Sequence, residues 1–388
     1  MEVPQRLNLK RFASVEEVIG QMQPVEPVYC LLPAKFEAAA KRFLDGFHGT
    51  PLYAVKCDPE PKVLEMIYAA GIRHFDTASL GEIKLISGLF PDAICHYMSP
   101  LRFPGHGKIA YDQFGVRDFV VDCDDELDKL IAETGNPKDL RIFVRLSAAA
   151  GGALLELSSK FGTTPDDGAR LLKRVADLGE TPCLTFHVGS QCLSSFSYAQ
   201  AIEKARRAIE ISGVKIGALD IGGGFPAPYA NYELPSYLWY FDTIREALST
   251  LEDENLPVMC EPGRALCAEG VTLVTRVIMR RGDKIYLNDG IYGSFDELTL
   301  PGFDAEYPFQ VYTVDEGTAV EKMHGEEKAF RVYGPTCDTL DVLPRPLMLP
   351  ANIAVGDYIV FSSMGAYTIA VRTPFNGFFA DDWVIVGE

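Results

Sequence analysis

From Pro51 to Arg264 short apolar runs alternate with stretches of helical periodicity, and this alternation constrains the fold more than any other feature of the chain. The runs are Leu52 to Cys57, His74 to Ala78, Ile94 to Met98, Phe119 to Cys123, Ile142 to Leu146, Leu184 to Val188, Ala218 to Ile221 and Val258 to Cys260. Between them lie helix patterns at Pro61 to Ala70, Gly81 to Gly88, Asp124 to Thr134, Asp166 to Leu178, Ser197 to Ile211 and Tyr237 to Glu252. Several start on acidic or polar residues and are followed by glycine. Strands joined through helices must run parallel, and eight such units predict a closed (β/α)8 barrel, an α/β fold.

After Ala268 the long helical patterns stop. Strand-like runs follow at Val271 to Met279, Lys284 to Leu287, Phe309 to Val314, Phe330 to Tyr333, Tyr358 to Ser362, Tyr367 to Val371 and Trp383 to Val386, predicting a β-sandwich or barrel-like domain. The early run Val28 to Leu32 precedes a helix at Ala34 to Phe47 and is expected to join that β domain. The expected organisation is therefore an N-terminal segment over residues 1–32, a barrel over 33–267 and a C-terminal β domain over 268–388.

Composition narrows the function. The 388 residues are 47% hydrophobic, enough for a large core. A net charge of −18 opposes binding to nucleic acid or an anionic membrane and suits a cationic ligand. No apolar run is long enough to span a bilayer, and the opening Met-Glu-Val-Pro-Gln-Arg has no apolar leader, so a cytoplasmic location is expected. Nine scattered cysteines without a CxxC pair read as reduced thiols, with no metal site implied.

In such barrels functional side chains gather where strands run into the following loops. Strand one ends in Lys56, strand two carries Asp76 and strand five Arg145. Strand six ends His187-Val188-Gly189-Ser190, strand seven Gly222-Gly223-Gly224 and strand eight Glu261-Pro262-Gly263-Arg264. Singly, each has a plain structural explanation: a solvated lysine, a hydrogen-bonded core histidine, a glycine turn. Together they fit one ligand. Three glycines let backbone N–H groups approach an anion, with Ser190 and Arg264 to complete a phosphate site. A carboxylate at Glu261 can hold a pyridine nitrogen protonated, and Lys56 can condense with an aldehyde. Phosphate, pyridinium and aldehyde describe pyridoxal 5'-phosphate (PLP).

The same segments resemble the ornithine decarboxylase family, the barrel-fold branch of PLP decarboxylases, which also includes lysine-decarboxylating members. The resemblance rests on Tyr53-Ala54-Val55-Lys56-Cys57, Phe75-Asp76-Thr77-Ala78-Ser79 with Glu82, Phe186 to Ser190, Leu219 to Pro226 and Glu261 to Arg264. It continues through Asn288 to Phe295, Gly334 to Asp338, Met364 to Tyr367 and Phe375 to Phe378, covering nearly the whole chain. It implies decarboxylation of a diamino acid, ornithine or lysine, to a diamine and CO2, as in polyamine biosynthesis. It further implies that Lys56 carries the cofactor, His187 stacks on its ring and Glu261 pairs with its nitrogen. Ser190, Gly222, Gly223, Gly224, Gly263, Arg264 and Tyr367 would surround the phosphate, and Asp76, Glu82, Arg145 and Lys160 would support the site. Tyr292, Cys337 and Asp338, with Phe375 nearby, would enter from the other subunit of a head-to-tail homodimer. There Cys337 would return a proton to the product carbon and Asp338 would bind the distal ammonium.

One stretch departs from the family pattern. Where relatives carry a Tyr-Asp pair that reads the distal amine, this chain has Leu300 and Pro301, so Asp296 or Asp304 is expected to substitute. Gln191 after Ser190 echoes diaminopimelate decarboxylases, yet Cys337-Asp338-Thr339 replaces their Cys-Glu-Ser. Glu261 stands where alanine racemases place an arginine. A non-catalytic regulatory homologue, of the antizyme-inhibitor kind, is opposed by the retention of Lys56, Glu261, Arg264, Cys337 and Asp338.

Overall fold

The computed structural model describes residues 8–148, 151–157, 159–253, 255–314 and 319–387. Its centre is a closed barrel of eight parallel strands. In chain order these are β1 (Thr50–Ala54), β2 (His74–Thr77), β3 (Ile94–Tyr97), β4 (Asp118–Val121), β5 (Arg141–Leu146), β6 (Thr181–Phe186), β7 (Leu219–Asp220) and β8 (Val258–Cys260). Strands buried on both faces must be apolar along their length, which is why they read as continuous runs rather than as alternating ones. Leu52, Met98, Val120, Phe143, Cys183, Ala218 and Met259 form a separate buried cluster, drawn from nearly every strand or its margin, as the layered interior of a barrel requires.

The helices between strands carry their own start and stop signals. Thr164 caps Pro165–Asp177 by accepting from the Asp167 N–H at 3.2 Å, with Pro165 in the first turn. The helix Asp124–Thr134 opens on three acids, favoured by its dipole, and closes on Gly135 in the left-handed region. Ser79 begins Leu80–Leu89 by accepting from the Glu82 N–H, and Glu82 reaches back to the Ala78 N–H at 2.6 Å, a variant of the capping box.

The β domain is built on one long strand, Val271–Arg281. It pairs antiparallel with Val28–Leu31, Lys284–Leu287 and Tyr358–Phe361. Val28–Leu31 in turn lies parallel to Asp382–Val386, which also pairs with Lys10–Phe12, so the two ends of the chain meet in one sheet. Tyr29 stacks on Trp383 there, ring centroids 4.6 Å apart. Two expectations need correction, and one element lies beyond them. Tyr367 to Val371 is not a strand but a sequence of turns, with Tyr367 and Ser363 at positive φ. The first barrel strand stops at Ala54, and Val55–Cys57 form a single 3-10 turn. A separate two-stranded antiparallel sheet of Ala153–Leu155 with Ser190–Cys192 has no periodic signal in so few residues. None of the described helices is long and apolar enough to cross a membrane.

The opposite half of the barrel carries a polar network across four neighbouring strands. His74 Nδ1 lies 2.9 Å from His96 Nε2, His96 Nδ1 meets the Asp118 carboxylate, and Arg141 Nε donates to Asp118 Oδ1 at 2.6 Å. Burial opposes ionisation of Asp118, but hydrogen bonds and charge from His96 and Arg141 outweigh it and hold the carboxyl below its ordinary range. Burial and the neighbouring His96 push His74 down to about 4. Below its unfolded value of 6.5 the unfolded chain therefore binds a proton that the fold refuses. Stability should fall as pH drops from 6.5 towards 4, and His74→Gln should flatten that part of the profile. Asp118→Asn should cost about 1–3 kcal/mol near neutral pH by leaving the Arg141 guanidinium without its counter-charge. Denaturant unfolding across pH checks both, and an unchanged acid profile in His74→Gln would remove the histidine from the account.

Candidate active site

The 3-10 turn after β1 sets the lysine. The Ala54 N–H donates to Pro262 O at 3.3 Å, and Cys57 O accepts the Tyr367 N–H at 2.9 Å, so the turn is bound to β8 on one side and to the β domain on the other. Lys56 Nζ then reaches Asp76 Oδ2 on neighbouring β2 at 2.9 Å. Asp76 is 1% exposed and its other oxygen has no protein partner. Burial works against the Lys56 charge, but Asp76 and Glu261 more than offset it and keep the amine protonated. Glu82, held on the Ala78 N–H, is pushed up to about 7, chiefly by burial.

At the end of β8, Glu261 is buried, and burial together with the charges of Asp220 and Asp76 raises its carboxyl well above the ordinary range. Asp220, on β7, accepts from Thr185 Oγ1 at 2.8 Å and from the Gly222 N–H at 3.0 Å, and burial lifts it to about 6. His187 Nδ1 accepts the Gly189 N–H at 3.0 Å. Burial, Lys56 and Arg145 depress its pKa well below the usual histidine value, so the ring is neutral.

The other end of the same cavity is built for an anion. Lys56, His187, Ser190, Gly224, Glu261, Gly263, Arg264 and Tyr367 line one pocket with Ala54 and Phe225. Gly224 has φ +104°, and a Cβ there would stand 2.5 Å from Gly189 O. Gly222 and Gly223 have no more room: a Cβ would lie 2.1 Å from Phe186 O or 2.6 Å from Glu261 O. Gln191 fixes this loop, its amide bonding both backbone groups of Ala227, so it serves the backbone rather than the cavity. Arg264 donates from Nη2 to Ser190 Oγ at 3.2 Å and from Nη1 to Tyr229 Oη, while its Nε is buried without a protein partner. It also forms an ion pair with buried Glu297, which in turn accepts from Tyr307 Oη at 3.2 Å.

Glu297, Tyr229, Tyr307 and Asp220 were not singled out from the sequence. The available signal was an acid, Glu297, set between the apolar Phe295 and Leu298, since a buried carboxylate demands a cation.

The remaining expected residues fall elsewhere. Arg145 and Lys160 flank the Phe161 ring, at 5.7 and 4.8 Å from its centroid. Tyr292, Asp338 and Phe375 cluster on the β domain: the Tyr292 hydroxyl donates to Asp338, and the two rings lie 4.6 Å apart. The exposed Cys337 beside them donates its N–H to Asn376 Oδ1. None of these four lines the Lys56 pocket of its own chain. Asp304 is exposed, its carboxylate bound by Tyr232, and Asp296 starts a short 3-10 turn, Asp296–Thr299. A larger apolar cavity of about 430 Å³ lies behind that turn between Phe303, Tyr307 and Leu347, but it offers only Glu306 and Arg345 as charged groups.

An amine, a buried carboxyl and an anion cradle facing one another at the strand ends of an eight-stranded barrel define a PLP-dependent enzyme. The residues present fit the cofactor: the glycine loop leaves backbone room for a phosphate, Arg264 has an unsatisfied N–H, and Glu261 matches a pyridinium. Residues 32–268 match the family model described as pyridoxal-dependent decarboxylase, pyridoxal binding domain. The chain is 35% identical to the ornithine decarboxylase of Schizosaccharomyces pombe, across 84% of this chain and 76% of the relative. It is 34% identical to the lysine/ornithine decarboxylase of Selenomonas ruminantium, across 86% and 82%. Among solved structures, the lysine/ornithine decarboxylase of Vibrio vulnificus complexed with cadaverine superposes with a TM-score of 0.81 at 31% identity, covering 97% of this chain and all of that one. The chain belongs to the pyridoxal-dependent decarboxylases of the ornithine and lysine decarboxylase family.

Gly224→Ala should cost about 1–3 kcal/mol in backbone strain alone and displace the loop from the anion. The variant should lose its visible cofactor absorbance on dialysis, and full retention would show that this loop does not cradle the phosphate.

Proposed function

We propose that the protein decarboxylates a basic diamino acid, ornithine or lysine, to the corresponding diamine and CO2. The observation that carries this reading is the single pocket in which Lys56, Glu261 and Arg264 converge. Bound PLP supplies a conjugated electron sink for the pair left behind when the carboxylate departs as CO2. Lys56 supplies the amine that holds the cofactor, with Asp76 placed to take the ammonium proton. Glu261 would hold a proton at the pyridine nitrogen, where its own negative charge and that of the adjacent Asp220 favour a cation against the opposing effect of burial. His187, neutral, offers an uncharged ring face, and Arg264, Ser190, Tyr367 and the backbone of Gly222, Gly223, Gly224 and Gly263 hold the phosphate.

The distal end of the substrate is assigned to the second cluster. Cys337 and Asp338, with Tyr292 and Phe375, complete the pocket of a partner subunit in a homodimer, a reading supported by their exposure away from their own chain's cavity. Asp338 receives the distal ammonium and Cys337 protonates the product carbon. Because the Asp304 carboxylate is already engaged by Tyr232, Asp296 is the favoured second acid. The charge of −18 favours a cationic substrate, and nine free thiols suit a cytoplasmic setting.

Mass spectrometry of products from ornithine, lysine, arginine and diaminopimelate tests the reading: a diamine from ornithine or lysine supports it, and exclusive turnover of diaminopimelate or of a neutral amino acid overturns it. Glu261→Gln should retain PLP while losing roughly 10² or more in kcat, about 2.7 kcal/mol of transition-state stabilisation. Lys56→Ala and Cys337→Ala proteins, each inactive, should recover activity when mixed under subunit exchange. No recovery despite proven exchange would place both residues in one subunit's site.

A further inference from the structure

Arg264 is the cation of the anion cradle, yet without any ligand its charge is already answered. Glu297 faces the guanidinium with both oxygens, one on Nη1 at 3.0 Å and the other on Nη2. The two side chains are 3% and 1% exposed. Glu297 does not line the pocket, whereas Arg264 does, so the carboxylate sits behind the arginine. Its position is fixed by Tyr307 Oη and by its place in the 3-10 turn, whose Leu300 N–H closes on Glu297 O at 3.1 Å. Nη2 also donates to Ser190, which lines the pocket, and Nε is buried without a hydrogen-bond partner among the described residues.

Two anions sharing one guanidinium repel each other, and in a dry site that repulsion is little screened. An arginine buried without a partner would strongly destabilise the ligand-free protein, whereas the pair leaves it neutral. The same neutrality reduces the attraction felt by an incoming phosphate.

We propose that Glu297 is an internal counter-anion that competes with the cofactor phosphate for Arg264, stabilising the cofactor-free protein and weakening its hold on PLP. Glu297 is thus a positioning residue that acts through Arg264 and touches neither cofactor nor substrate. The inference rests on Arg264 being a phosphate ligand, as assigned above. It also ties the phosphate site to the 296–304 segment, because the acid answering Arg264 belongs to the turn that immediately precedes Leu300 and Pro301.

The test compares PLP with pyridoxal, which lacks the phosphate, as ligands of the full-length apoprotein. Glu297→Gln keeps the shape and removes the charge. It should lower the Kd for PLP by about tenfold or more, leave that for pyridoxal within about twofold, and melt earlier than wild type when cofactor-free. Inorganic phosphate should raise the melting temperature of this apoprotein more than that of wild type. Glu297→Asp, which keeps the charge but cannot span both nitrogens, should fall between the two and serves if Glu297→Gln does not fold. PLP affinity that is unchanged or weaker in Glu297→Gln, with pyridoxal unaffected, would overturn the proposal and make Glu297 an orienting group. Equal losses for both ligands would overturn it too, in favour of a purely structural role. Arg264→Met separates the premise: it should abolish the preference for PLP over pyridoxal, and a preserved preference would mean that the phosphate assignment itself is wrong.

Discussion

The site depends on the closure of the barrel between its last and first strands. Met259 pairs with Thr50 and Cys260 with Pro51, a contact between segments far apart in the chain. Only this pairing brings the turn carrying Lys56 beside Glu261 and Arg264. Its register matters because strands alternate faces with a period of two: a slip by one residue would turn Glu261 away from the cavity and deliver its neighbour instead. The Ala54 N–H on Pro262 O continues the same contact past the strand ends, and a Cβ on Gly263 would stand 2.8 Å from the Cys57 Cβ. The fold and the chemistry therefore share one constraint, close approach of the β1 and β8 ends.

Within that frame the electrostatics are unbalanced. Asp76, Asp220 and Glu261 are all buried around a single amine. Lys56 is satisfied by Asp76, which leaves Asp220 and Glu261 facing each other, and two buried carboxyls share a proton more readily than they hold two negative charges. A pyridinium held beside Glu261 would resolve the conflict by adding a positive charge. The same reasoning applied at the far end gives the opposite arrangement, since there the cation Arg264 is already balanced by Glu297. One end of the pocket is short of positive charge without the cofactor, and the other is not.

The barrel was legible because parallel strands buried on both faces leave unmistakable apolar runs, and the strand-end residues stood out as polar groups where those runs stop. What escaped the sequence was conformation at short range. A 3-10 turn and a strand end look alike over Val55 to Cys57, and only the backbone bonds to Pro262 and Tyr367 decide between them. Tyr367 to Val371 has strand composition, but the segment must turn at Ser363 and Tyr367 to bring the tyrosine to the barrel mouth. Glu297 is harder to read for another reason: its apolar neighbours Phe295 and Leu298 are a signal it shares with Asp296, and only the fold shows which acid is buried against Arg264.

The Lys56 pocket and the Tyr292 cluster differ in mechanical character. The cofactor end is fixed by barrel strands, by a glycine loop without room for a side chain, and by an arginine bonded on every side but one. The cluster of Tyr292, Cys337 and Asp338 hangs on turns of the β domain, held by contacts such as Asn376 on Cys337 and the Thr373 N–H on Tyr292 O. Turns admit substitutions and shifts in length that a closed barrel does not. Leu300 and Pro301 also lie outside the barrel strands, where a change in length or sequence leaves the barrel closure intact. Glu297 is the exception, because it belongs to a short 3-10 turn yet is bonded to Arg264, so a change in that loop reaches the Lys56 pocket through one ion pair.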